Sequence, residues 1–294
     1  MRTDASLLPL QSVHSTYRRV NGVRLHVVKT GPVDGPPVVL LHGFPDFWFG
    51  WREQLSHLAD AGFRVLVPDQ RGYNLSAKPH GVSAYRLSEL VEDVAALIES
   101  ETRGGPANVV GHDWGGGVAW ELARRHPALV ARLAVLNAPH PAAFARSWLT
   151  SPRQLARSWY VFFFQLPGLP ERVLDRHDAS RLERMLRANT PPGTFSPETL
   201  AAYREAWRHR GALTAMLNWY RAMPREGGLP STDPVLAPTL LLWGDADPSL
   251  APKLAEQSLA YCDDATLDHL PDVSHWPQVA VPERVNEALL DHFR

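Results

Sequence analysis

The chain has 294 residues, 45% of them hydrophobic and 21% charged, enough to bury an ordinary core as one large domain or two small ones. Lys plus Arg number 30 against 31 Asp plus Glu, and the net charge of −1 offers no basic excess for a nucleic-acid backbone or an anionic membrane as partner. Cys262 is the only cysteine, which excludes an internal disulfide framework and a multi-thiolate metal site, and it reads as a buried small residue.

The first residues, MRTDASLLPLQSVHST, hold no apolar run of the length a secretory signal needs, and no later stretch approaches the roughly 18 uncharged apolar residues of a membrane span. A cytoplasmic enzyme or binding protein is the expectation. Residues 16–30, TYRRVNGVRLHVVKT, set Asn21-Gly22 between two strand-forming runs, the preferred dipeptide of a two-residue hairpin. The runs PPVVLLHG, FRVLVPD, ANVVGHD, ARLAVLNA and APTLLLWGD are short and continuously apolar, as parallel strands buried on both faces are. Helical patterns at about 48–61, 85–100, 115–126, 251–261 and 280–293 alternate with them. This predicts an α/β fold, a mostly parallel central sheet with helices on both faces.

From about 139 to 233 the alternation fails. Arg-rich and aromatic helical segments, broken at Gln165–Pro170 and Asn189–Gly193, predict a helical cap there. The expected division is a core of residues 1–138 and 234–294 and a cap of residues 139–233. The cap enters between the fifth or sixth parallel strand and the run at 238–243.

The chemistry begins at Val109-Val110-Gly111-His112-Asp113-Trp114-Gly115-Gly116, where an apolar strand meets a glycine-flanked polar residue and a helical pattern follows at once. This has the form of a nucleophile elbow, with Asp113 where a serine often stands. Taken alone, Asp after a strand is a helix cap; the flanking glycines and His42-Gly43-Phe44-Pro45 upstream favour catalysis. A carboxylate is already ionised at neutral pH and can attack saturated carbon, leaving an ester of the enzyme itself. Releasing that ester needs a general base and an oxyanion hole.

His275, in PDVSHWPQ, and Asp247, in WGDADP, each follow a short strand, and the order nucleophile, acid, histidine is that of the α/β-hydrolase triad. Asp245 competes for the acid role. The Phe44 and Trp114 N–H groups are candidates for the oxyanion hole, and Pro45 for a cis peptide bond. His42, His112 and Asp69 lack the spacing of a metal site, so neither metal nor cofactor is expected.

With these residues in hand, the chain resembles the epoxide hydrolases of the α/β-hydrolase fold, from the hairpin to the C-terminal helix. HGFPDFW resembles the family's H-G-x-P segment, PDQRGYNLSAKP its following loop, GHDWGG its elbow and SHWPQ its histidine loop. The resemblance implies that two cap tyrosines protonate the leaving oxygen, and it carries that role to Tyr160 in WYVFFFQLPG and Tyr220 in LNWYR. Both would otherwise read as cap packing. Trp114, Tyr160, Tyr220 and Trp276 are the expected lining of an apolar substrate pocket.

The resulting expectation is a hydrolase, monomer or homodimer, that converts a small apolar epoxide and water to a vicinal diol. Two alternatives stand beside it. A haloalkane or haloacid dehalogenase would use the same Asp nucleophile, but Phe44 and Trp114 stand where those families carry halide-binding side chains. A non-catalytic receptor for a small ligand could also keep the fold.

Overall fold

Asn21 and Gly22 both take positive φ, 43° and 74°, the mirror-image turn whose twist matches that of the strands it joins. Strands β1 (His14–Val20) and β2 (Val23–Thr30) therefore pair antiparallel, from Val20 opposite Val23 to His14 opposite Lys29. The computed structural model describes residues 13–188 and 190–294. The secretory-signal reading of the first 12 residues, and position 189 of the Asn189–Gly193 break, lie outside the described residues.

The apolar runs form β3 (Pro37–Leu41), β4 (Arg64–Pro68), β5 (Ala107–His112), β6 (Val130–Leu136), β7 (Thr239–Gly244) and β8 (Ala265–Leu270). All six pair parallel with one another, and β2 joins them antiparallel through β4, giving the order β1-β2-β4-β3-β5-β6-β7-β8. Every residue of β5 and β7 is buried, which is why neither shows the alternation of a one-sided strand. Helices α1 (Arg52–Asp60), α2 (Leu87–Thr102) and α3 (Trp114–Arg125) connect the first parallel strands.

Between β6 and β7 lie α4 (Pro141–Thr150), α5 (Pro152–Arg157), α6 (Trp159–Phe164), α7 (Leu169–Arg187), α8 (Pro197–Arg208) and α9 (Ala212–Ala222). The core then closes with α10 (Lys253–Leu259), α11 (Pro277–Ala280) and α12 (Pro282–Phe293). This is the α/β-hydrolase architecture predicted above. The helical insert leaves from β6, the sixth strand of the chain but only the fourth parallel one. The expected fifth or sixth parallel strand is corrected because the opening hairpin adds two antiparallel strands to the same sheet.

Cys262 is half-buried, not buried. It sits between α10 and β8, bridged to Val235, with its Sγ 3.9 Å from the Ser258 carbonyl oxygen, and it leads into β8, the edge strand, whose own residues are mostly only half-covered. No described helix is long and apolar enough to cross a membrane.

The strand order fixes where a ligand can bind. From β3 the chain crosses to β4 on one side, whereas β5 lies on the other, so the connections leaving the adjacent ends of β3 and β5 diverge. That divergence opens a crevice at the C-terminal edge of the sheet. His42-Gly43-Phe44 leaves β3 there and Asp113 leaves β5.

Candidate active site

Asp113 adopts φ 51° and ψ −122°, a backbone conformation that L-residues avoid. The strain turns the chain from strand to helix within one residue and lifts the carboxylate above the sheet. Two glycines make room for it. A Cβ at Gly43 would collide with the Asp113 side chain, and one at Gly115 with the Leu41 carbonyl. The Phe44 N–H donates to Asp113 Oδ1 at 2.8 Å, and Phe44-Pro45 is a cis peptide. Asp113 keeps 16% of its side-chain surface exposed, so solvent reaches it.

His275 lies between two carboxylates. Its Nε2 is 3.4 Å from Asp113 Oδ2, and its Nδ1–H donates to Asp247 Oδ2 at 2.6 Å. Burial alone would depress the His275 imidazolium, but Asp247 and Asp113 outweigh it and raise its pKa to about 10. Burial likewise opposes ionisation of both carboxylates, and the His275 cation more than compensates, holding each below the usual carboxylate range. Asp247 is fully enclosed and also accepts from the N–H groups of Ser249 and Leu250, at 2.8 and 3.0 Å. Asp245 points elsewhere, accepting from His269 Nδ1 at 2.7 Å.

Tyr160 on α6 and Tyr220 on α9 meet ring to ring, centroids 5.9 Å apart. Tyr220 packs edge-on against both Phe44 and Trp114, at 5.3 and 5.1 Å, so the two phenols, Phe44 and Trp114 form one aromatic cluster beside Asp113. Burial first, then the Asp113 charge, push both phenols above the ordinary tyrosine value, so each keeps its proton at neutral pH. Trp276 stands apart from that cluster and packs on His275 and His112, centroids 4.7 and 6.3 Å away.

Residues beyond those predicted complete the site. Asn137, just past the end of β6 with φ 40°, donates to Asp247 Oδ2 at 2.9 Å and to the Gly244 carbonyl at 3.1 Å. A polar residue directly after the apolar run ARLAVL was the available signal. His112 donates from Nε2 to the His275 carbonyl at 2.7 Å, fixing the histidine loop against the elbow. Burial pushes His112 down to about 3, so it stays neutral. His42 is used up locally, donating from Nδ1 to the Gly43 carbonyl and accepting the Gln70 N–H at Nε2. No cluster of three or more metal-ligating side chains occurs among the described residues.

Two further links brace the helical insert, one within it and one to the core. Arg221, next to Tyr220, pairs with Glu171 and donates to the Phe164 and Leu166 carbonyls, while Gln165 donates to the Tyr220 carbonyl at 2.8 Å. These bonds hold the two tyrosine-bearing helices at fixed spacing. The second link is Asp46, buried after the His-Gly-Phe-Pro turn, which accepts from the Tyr203 hydroxyl of α8 at 2.8 Å. Burial raises its pKa to about 7 against the relief given by Tyr203 and the Phe47 N–H.

A carboxyl raised in the native state binds more protons than its unfolded counterpart between its two pKa values, so stability falls as pH rises from about 4 to about 7. Asp46→Asn removes that slope. Its melting temperature relative to wild type should therefore rise between about pH 5 and pH 8, by on the order of 5 °C. Parallel thermal melts that keep a constant difference across this window would refute the assignment to Asp46.

Residues 36–280 match the family model of the alpha/beta hydrolase fold. The chain is 42% identical to an AB hydrolase superfamily protein, YfhM, of Bacillus subtilis, covering 97% of this chain and 99% of that one. It is 38% identical to epoxide hydrolase 1 of Caenorhabditis elegans, covering 95% and 70% respectively. Among solved structures it is similar to a Bacillus megaterium epoxide hydrolase crystallised with an inhibitor, with a TM-score of 0.87, 31% identity and coverage of 95% and 99%.

Proposed function

Because the chain belongs to the α/β-hydrolase family and, within it, to the epoxide hydrolases, we propose that it opens a small apolar epoxide to a vicinal diol through an ester on Asp113. The observation that carries this mechanism is a carboxylate at the elbow, held on the Phe44 N–H, with the His275–Asp247 pair on one side and two protonated phenols nearby. The insert from 139 to 233 acts as the cap that brings those phenols to the core.

Asp113 Oδ2 attacks an oxirane carbon, forming a C–O bond as the ring C–O bond breaks. Tyr160 and Tyr220 bind the departing oxygen, and one of them transfers its proton to it; the proton is later returned from solvent. Asp113 Oδ1, already on the Phe44 N–H, becomes the ester carbonyl oxygen, with the Trp114 N–H as second donor. Esterification removes one of the two charges that hold the His275 proton, so the His275 pKa falls and the imidazole is freed as a base when the ester needs one.

Neutral His275, oriented by Asp247, then takes a proton from water as the water oxygen attacks the ester carbonyl. Collapse of the tetrahedral intermediate breaks the acyl C–O bond and expels the diol oxygen, which takes the proton from His275. The acid so formed passes its remaining proton to His275, which leaves Asp113 a carboxylate containing one water oxygen and restores the His275 cation.

That balance gives the test. With enzyme in excess over an aryl epoxide in ¹⁸O-labelled water, a single turnover should yield unlabelled diol, its new oxygen coming from Asp113. Label in the first-turnover diol would mean direct attack of water on the epoxide, and would end the ester mechanism.

A further inference from the structure

Helices α5 and α6 carry large apolar side chains on their outer face, while the inner face is only partly apolar. The side chains turned inward at positions 154, 158, 161 and 164 begin with two polar residues: Gln154 and Ser158 are buried. They are held by hydrogen bonds. Gln154 donates to the Ser249 carbonyl at 2.7 Å and accepts the Ala251 N–H at 3.0 Å, and Ser158 Oγ accepts from Trp148 Nε1 at 3.2 Å. The opposite stripe, Leu155, Trp159, Phe162 and Leu166, recurs at helical spacing and is exposed, with Trp159 at 64%. Leu149 and Leu169 extend it at either end.

Large exposed apolar patches mark interaction sites, and the charge around this one selects the partner. Residues 141–170 contain Arg146, Arg153 and Arg157 and no Asp, Glu or Lys. All three arginines are exposed, and none is in an ion pair among the described residues. A two-fold contact between copies would set this acid-free patch against itself, arginines facing arginines. An anionic lipid surface satisfies both features, taking Trp159, Phe162 and the leucines into its interfacial layer and the Arg146 and Arg153 guanidiniums at its head groups, while Arg157 donates inward to the Asp247 carbonyl at 3.4 Å.

We propose that the outer face of α5 and α6 docks on anionic membrane surfaces, with the bilayer as its partner and without a spanning segment. The net charge of −1 speaks only for the whole surface, and this local excess is invisible in it. Docking stands apart from the reaction. Its consequence alone rests on the proposed chemistry: Tyr160 follows Trp159 on α6, so a docked enzyme would hold its epoxide-binding helix against the phase in which apolar epoxides collect.

The test is co-sedimentation of the full chain with vesicles of phosphatidylcholine, with and without phosphatidylglycerol. Wild type should bind only the anionic vesicles and be released by salt. Arg146→Gln with Arg153→Gln should weaken binding on the order of 30-fold. Leu155→Ser and Phe162→Ser should each abolish measurable binding, with circular dichroism and melting temperature reporting that the fold is kept. Failure of wild type to bind, or equal binding by the variants, overturns the proposal. So would a dimer in sedimentation velocity that Leu155→Ser or Phe162→Ser dissociates while wild type ignores vesicles, because a second copy would then cover this face.

Discussion

Asp113→Ala will abolish diol formation, lowering kcat/KM by on the order of 10⁴-fold or more. The expectation rests on the absence of a substitute. Asp247 is fully enclosed and turned to the far side of His275, and Asp46 is buried and held by Tyr203 and the Phe47 N–H. Neither can reach an epoxide lodged beside the aromatic cluster. The loss will not come from unfolding, because alanine keeps the Cβ that the elbow already accommodates and β5 is unaltered.

Asp113→Ala also takes away one of the two negative charges on His275, so the histidine pKa in the variant should fall below its wild-type value of about 10. An NMR titration of the imidazole can read that drop. A folded variant that still forms diol at the wild-type rate would remove Asp113 from the mechanism.

How much of this was legible in the sequence depends on the reach of each signal. The elbow could be read because its parts are neighbours: an apolar run, Gly111, Asp113 and Gly115 lie within one strand and one turn. The position of His275 could be read for the same reason, from the loop after β8. The supports of the site could not. Asn137 meets Asp247 across 110 residues, Tyr203 meets Asp46 across 157, and Arg221 meets Glu171 across 50. No local pattern encodes such pairings.

Periodicity also gives a stripe without its direction. Leu155, Trp159, Phe162 and Leu166 mark an apolar face, and only the hydrogen bonds of Gln154 to Ser249 and Ala251 of the core reveal that it looks outward. The strand count failed for a related reason, since nothing local in the Asn21-Gly22 hairpin says that β2 will join β4 in the main sheet.

His275→Gln separates the two half-reactions. Attack by Asp113 needs its charge and the phenols, and both remain; hydrolysis needs the base, and that is gone. Steady-state turnover should fall by about 10²–10⁴-fold while the ester accumulates to one per chain. The variant should fold, because Asp247 keeps Asn137 and the N–H groups of Ser249 and Leu250 as donors and its buried charge is not orphaned.

Intact mass then reads the chemistry. An aryl epoxide should add its whole mass, since ring opening expels nothing, and the adduct should vanish when Asp113→Ala is combined with His275→Gln. A bromoalkane would add only its alkyl group, with loss of bromide. The phenols of Tyr160 and Tyr220 can protonate an alkoxide, a far stronger base than a halide, so the epoxide adduct should dominate. An adduct from the bromoalkane alone would reassign the nucleophile to halide displacement and the phenols to packing, while an epoxide adduct that survives Asp113→Ala would place the ester on another side chain.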